Sequence, residues 1–77
     1  MRIEYDSSVD AAYIYFVDDI GAGGVATTYP CDPLQVNGEI NLDFDADGRL
    51  LGVEVLDASR FLPKSLLDSA PPPGGRS

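Results

Sequence analysis

Seventy-seven residues make one domain, and a chain this short buries only about 60% of its unfolded surface, so a second copy or a partner protein would help complete its core. Thirteen acidic residues against five basic ones give a net charge of −8, which repels nucleic-acid phosphates and argues against direct DNA or RNA binding. The apolar fraction of 44% is that of a folded chain, so wholesale disorder is excluded. A single cysteine, Cys31, rules out an intramolecular disulfide and suits a reducing cytoplasm, which is the expected location. The N-terminal residues lack the apolar core of a signal peptide, and no apolar run approaches the ~18 residues of a membrane span.

In chain order, residues 2–5, Arg-Ile-Glu-Tyr, alternate and predict a first strand. Asp6-Ser7-Ser8 predicts a turn in which short polar side chains bond the local backbone. Residues 11–17 predict a second strand that is apolar on both parities, as a central or covered strand would be. Its tyrosine hydroxyls can still reach water at the rim. The run 18–24 is a loop, and Val25 to Tyr29 a third strand. Pro30, Pro33 and Gly38 bracket a long connection in which Leu34 and Val36 add a short paired stretch; proline keeps residues 30–33 out of any central strand.

Residues 39–58 organise the rest. Ile40, Leu42 and Phe44 share one parity, and Leu51, Val53 and Val55 share another, on either side of Asp45-Ala46-Asp47-Gly48. That is a β-hairpin with an Asp-Gly turn. A four-residue loop would set Phe44 opposite Arg49, Leu42 opposite Leu51 and Ile40 opposite Val53, with both apolar sets on one face. A three-residue loop, with Asp45 opposite Arg49, would put Ile40 against Glu54 and is disfavoured for that reason. Gly52 inside a strand signals a bulge or a close backbone approach. Asp57 is the candidate N-cap of a helical segment that presents Leu62, Leu66 and Leu67 to the sheet. The expectation is a mainly β protein, α+β at the margin: an antiparallel sheet or meander of about five strands and a short C-terminal helical segment. One small β-rich domain is expected over residues 1–67, with a disordered Pro/Gly-rich tail over 68–77.

Four groups of residues could carry chemistry. Asp43-x-Asp45-x-Asp47-Gly48-x5-Glu54 fits the calcium loop of an EF-hand. Its flanks alternate as strands, however, and Glu54 then lies roughly 20 Å of chain beyond the turn glycine at ~3.3 Å per residue. The reading adopted is therefore an acidic hairpin turn, with a weak surface cation site at Asp43, Asp45 and Asp47 as the alternative. Asp6, Asp10, Asp18 and Asp19 fall in turns and at strand ends, where turn chemistry explains them. Cys31 has no histidine anywhere in the chain to activate it, and without histidine there is no triad, imidazole base or ordinary zinc site. Gly21-Ala22-Gly23-Gly24 is too short for a phosphate loop, and no lysine follows it. No catalytic residue and no cofactor are expected.

Two segments carry a resemblance: Tyr5-Asp6-x-x-x-Asp10-Ala11-x-Tyr13-Ile14, and Asp43-Phe44-Asp45-x-Asp47-Gly48-x-Leu50-x-Gly52-Val53-Glu54-Val55-Leu56-Asp57-Ala58-Ser59. Together they resemble the DUF2283 family of small bacterial and archaeal proteins, over about residues 1–62. The longer middle loop and the tail depart from the family pattern. The resemblance implies a small β-rich protein and supplies no catalytic residues. Some members are suspected to be the antitoxin-like half of a toxin–antitoxin pair. The expected function is a non-enzymatic protein-interaction module, antitoxin-like or a homodimer, partnered by another protein or by itself and by neither nucleic acid nor membrane. A calcium-binding protein using the acidic 43–54 stretch is the alternative.

Overall fold

The computed structural model describes residues 1–21 and 23–74. Five strands form one antiparallel sheet: β1 (Arg2–Asp6), β2 (Ala11–Tyr15), β3 (Thr27–Pro30), β4 (Ile40–Phe44) and β5 (Leu50–Leu56), in the spatial order β1-β2-β5-β4-β3. Three short helices accompany them: α1 (Pro33–Val36), α2 (Ala58–Phe61) and α3 (Lys64–Ser69). The mainly β, antiparallel architecture is the one the alternation predicts.

The hairpin β4–β5 is present, but its register differs from the expected one. At the tip the Asp45 N–H donates to the Arg49 carbonyl at 2.9 Å, so the loop has three residues and Asp45 faces Arg49. This is the arrangement the sequence pattern disfavoured. Phe44 then pairs with Leu50, while Asp43 pairs with Gly52, and Leu51 has no partner. Leu51 is a β-bulge, and it shifts the ladder by one further residue. Beyond it Leu42 faces Val53 and Ile40 faces Val55. Two one-residue shifts cancel in parity, so the apolar sets still meet. The turn is closed by Asp45, whose Oδ1 accepts from the Asp47 and Arg49 N–H groups at 2.9 Å each, and by Gly48 at φ +81°.

The middle connection is also corrected. Leu34 and Val36 lie in helix α1 rather than in a paired stretch. Asp32 accepts from the Leu34 N–H at 2.9 Å and Pro33 opens the first turn, a helix-start combination that outweighs the alternation of two apolar residues. The third strand comes two residues later than expected, and β2 ends at Tyr15 rather than at residue 17. Pro30 lies in β3, an edge strand. Cys31 N–H donates to the Ile40 carbonyl at 2.8 Å, so by antiparallel alternation the Pro30 nitrogen faces the open edge, where a missing N–H breaks no ladder bond.

Directly opposed residues share a face. Ile3, Tyr5, Ala12, Ile14, Val53, Val55, Ile40 and Leu42 make one face, and α2 and α3 pack on it. Ala12, Val55, Ala58 and Leu67 are its buried centre, with Phe61 and Leu62 closing the side. Each large apolar side chain buried here contributes about 1.5–3 kcal/mol. The extents of 33 × 33 × 18 Å fit one sheet carrying one layer of short helices, which leaves the opposite face without a helix.

The helix layer is fastened by an aspartate other than the one expected. Asp57 makes no side-chain capping bond and adopts a left-handed φ of 52°. Asp10, also left-handed at φ 54°, caps α2 from 49 residues away. Its Oδ1 accepts from the Ser59 N–H at 3.0 Å, and its Oδ2 accepts from the Ser59 hydroxyl at 2.7 Å. Its carbonyl accepts from the Ala58 N–H at 2.9 Å, and the Tyr5 hydroxyl donates to Oδ1 at 2.6 Å. The Tyr5 hydroxyl, then Ser59, hold the Asp10 carboxyl below the usual carboxylate range. The expected tail begins inside α3, which runs to Ser69, and the Pro71 carbonyl accepts from the Tyr5 N–H at 2.8 Å on the outer edge of β1. Residues 75–77 of that tail lie outside the described residues.

Two outcomes follow. Gly48→Ala is expected to lower stability by about 1–2 kcal/mol, because a Cβ is penalised in the left-handed region, while Ala46→Ser stays within about 0.5 kcal/mol. Denaturant midpoints compare them, and equal midpoints would contradict the turn. Asp10→Asn should lower the midpoint at neutral pH, and Asp57→Asn should leave it nearly unchanged, since asparagine tolerates the left-handed backbone at both sites. A depressed folded-state pKa means that the Asp10 contribution is present above the unfolded carboxylate pKa and is lost as pH falls through the folded value. The gap between wild type and Asp10→Asn should therefore close below about pH 4.

Candidate functional site

The second parity of every strand points to the face without a helix. Arg2, Glu4 and Asp6 come from β1, Tyr13 and Tyr15 from β2, Gly52 and Glu54 from β5, Asn41 and Asp43 from β4, and Thr28 from β3. These side chains are tied into a polar layer. Arg2 Nη1 donates to Glu4 Oε2 at 3.0 Å, and the Tyr15 hydroxyl donates to Glu4 Oε1 at 2.9 Å. The Arg2 guanidinium stands 3.7 Å above the centroid of the Tyr15 ring, a cation–π contact. The rings of Tyr13 and Tyr15 lie 4.6 Å apart between centroids. Asn41 Nδ2 donates to Glu54 Oε1 at 2.9 Å. Glu4 is the one charged residue among those described that is buried, at 8% exposure, and both of its carboxylate oxygens are paired.

Tyr13 reaches furthest. It starts on β2, crosses β5, and its hydroxyl donates to Asp43 Oδ2 on β4 at 2.5 Å. Thr28 on β3 donates to the other oxygen, Oδ1, at 2.6 Å. The crossing is possible because position 52 is glycine: a Cβ there would stand 2.6 Å from the Tyr13 hydroxyl and 2.7 Å from the Ile14 carbonyl. The sequence signal for a close approach at Gly52 therefore has its cause in a tyrosine two strands' width long.

The residues of the acidic motif are distributed among these contacts. Asp43 serves two hydroxyls on the open face, Asp45 serves two backbone N–H groups inside the turn, and Glu54 holds Asn41. Hairpin geometry gives Asp43, Asp45 and Glu54 separate tasks, and Asp47 contributes its backbone N–H to the turn. Among the described residues no group of three or more His, Cys, Asp or Glu side chains is placed to hold a metal ion. Asp6 accepts from the Ser8 N–H and hydroxyl in the expected turn. A hollow of about 720 Å³, lined in part by Val9, Ala11, Pro30 and Leu56, carries the half-buried Cys31 thiol; its charged lining residues, Glu39 and Asp57, are both acidic.

The family's sequence profile matches residues 2–59, and its description is "Protein of unknown function (DUF2283)". The chain belongs to the DUF2283 family. No curated protein and no solved structure matches it. The two DUF2283-like segments, separated by the 28 residues from Tyr15 to Leu42, meet twice in the fold. Asp10 of the first segment, steadied by Tyr5, accepts from Ser59 of the second, and Tyr13 of the first crosses Gly52 to reach Asp43 of the second.

Arg2, Glu4, Tyr15, Thr28 and Asn41 were not singled out from the sequence. The available signal was parity: in 2–6 and 39–44 the polar residues fall on one parity, and Tyr13 and Tyr15 share another. Which parities of different strands come together depends on pairing that the sequence does not display.

Burial, and then the bonds to Asp43 and Glu4, push the Tyr13 and Tyr15 hydroxyls above their ordinary pKa; the bond to Asp10 does the same first for Tyr5. The folded chain thus keeps these phenols protonated at pH values where the unfolded chain ionises them. Their contribution to stability is complete below about pH 10 and is lost as pH rises through the folded values. Denaturant midpoints should fall steadily from about pH 10 upward, and phenolate absorbance in the folded chain should lag behind that of the unfolded chain. A midpoint independent of pH in that window would contradict the three hydroxyl–carboxylate bonds.

Proposed function

We propose that this DUF2283 protein is a non-enzymatic module that binds another protein chain on the open face of its sheet. The observation that carries the reading is a sheet face with paired aromatic rings, four carboxylates (Glu4, Asp6, Asp43, Glu54) and one guanidinium (Arg2), with no helix packed over it. Tyrosine supplies large, rigid contact area at low entropic cost and is favoured in binding surfaces. A net charge of −8 gives long-range attraction to a basic partner.

The sheet edges, the other surface of so small a sheet that another chain could extend, favour the reading less. β3 exposes a proline at its edge and β1 already lends the Tyr5 N–H to Pro71. An antitoxin-like pairing with a basic partner is one form of this proposal, and self-association is its rival.

Ionic strength separates the two. Exposed charges are screened over roughly 10 Å at 0.1 M salt. Association with a basic partner should slow by roughly ten-fold or more between low and high salt, and its amide-protection footprint should cover Arg2, Glu4, Tyr13, Tyr15 and Glu54. Two copies of an acidic chain should instead associate more tightly as salt rises. A footprint confined to α2 and α3, or a rate indifferent to salt, would overturn the reading.

A further inference from the structure

The chain leaves α3 at Ala70 in an extended conformation, φ −81° and ψ 130°, close to polyproline II, and enters Pro71-Pro72-Pro73-Gly74, which turns at Pro73-Gly74 with Gly74 at φ 87°. Pro71 is pinned to the β1 edge through the Tyr5 N–H, and Pro71, Pro73 and Gly74, all exposed, border hollows on the open face. Pro71 and Gly74 line a hollow of about 440 Å³ together with Arg2, Glu4 and Tyr15. Pro73 lines a second, of about 250 Å³, whose other walls include Glu4, Asp6, Tyr13, Tyr15 and Glu54. A proline-rich segment therefore sits at the rim of a surface built from two tyrosine rings and four carboxylates.

Extended proline-rich segments dock in aromatic-lined grooves because their backbone is already ordered and loses little entropy on binding. The Tyr13 and Tyr15 rings offer apolar surface for prolines beside the Arg2 guanidinium that covers one face of Tyr15, and the surplus of carboxylates favours a cation next to them. We propose that the Tyr13–Tyr15 surface binds an extended, proline-rich polypeptide segment with a basic residue at its flank, and that Pro71–Gly74 occupies the rim of that site in cis. A partner's segment must displace the chain's own. The proposal rests on the reading that the open face is the binding surface, and names the class of ligand. Tethering sets the competition, since a short linker holds the internal segment at an effective concentration in the millimolar range.

The test uses the full chain and a synthetic nonapeptide copying residues 69–77, Ser-Ala-Pro-Pro-Pro-Gly-Gly-Arg-Ser. Replacing Pro71, Pro72 and Pro73 together by Ser should move the NMR signals of the Tyr13 and Tyr15 rings and free the Tyr5 amide. That variant should bind the peptide saturably at those rings, about ten-fold more tightly than the wild-type chain does. Peptides with the prolines changed to Ser, or the arginine to Glu, should bind more weakly. The wild-type chain provides a check independent of the variant's folding: excess peptide should shift the same signals at higher concentration. Ring signals that ignore both the substitutions and the peptide would overturn the proposal. If a natural partner then still footprints on the open face, the proline-rich ligand is refuted and the binding-face reading stands; if its footprint lies elsewhere, both fall.

Discussion

The central pair of strands is held by a ladder whose two sides count differently. Asp43 and Phe44 are neighbours on β4, while their partners Gly52 and Leu50 on β5 have Leu51 between them. That extra residue follows a three-residue turn, and the two shifts together keep Ile40 and Leu42 against Val55 and Val53. With either shift alone, one strand would turn its apolar side chains to water and its carboxylates to the helices. The bulge also sets Gly52 opposite Asp43, which opens the path for Tyr13. Both faces of the sheet depend on one residue with no partner on β4, itself buried at 8% exposure.

The apolar core under the helices is thin. Among the described residues only Ala12, Leu51, Val55, Ala58 and Leu67 are buried apolar side chains. Hydroxyl–carboxylate bonds supplement it: Tyr5 to Asp10, Tyr13 to Asp43 and Tyr15 to Glu4. Each joins residues on different elements or across a turn, and hydroxyl-to-carboxylate bonds are of the stronger, charge-assisted kind. The acidic composition thus has a structural use as well as an electrostatic one. Asp10 shows how far this goes, since one side chain from the β1–β2 turn organises the start of α2 and anchors the helix layer to the sheet.

The same arrangement shapes what the molecule can offer a partner. The helices consume one face, Pro30 blunts one edge, and the Pro71 carbonyl occupies part of the other. What remains is a face of rings and carboxylates whose internal bonds hold the side chains in place before anything binds. Preorganisation of that kind lowers the entropic cost of association. Pro71, Pro73 and Gly74 border that face, so a partner bound there as proposed would meet them.

Much of the fold was legible in the residues themselves. Period-two alternation located four of the five strands to within two residues, Asp45 to Gly48 marked the turn, and Gly52 marked a close approach. These are local properties: side-chain parity and the left-handed tolerance of glycine act within a few residues, so a single chain displays them. The register of β4–β5, the capping of α2 by Asp10 in place of Asp57, and the assembly of Arg2, Glu4, Tyr13, Tyr15 and Asp43 were decided only by tertiary structure. Each depends on which parity of one strand meets which parity of another, and the chain separation involved, 49 residues from Asp10 to Ser59 and 30 from Tyr13 to Asp43, carries no pattern that a linear reading can detect. Local signals also competed there: Asp32 with Pro33 specified a helix start strongly enough to override the alternation of Leu34 and Val36, and a bulge, which costs one residue of pairing, was cheaper than exposing an entire apolar face.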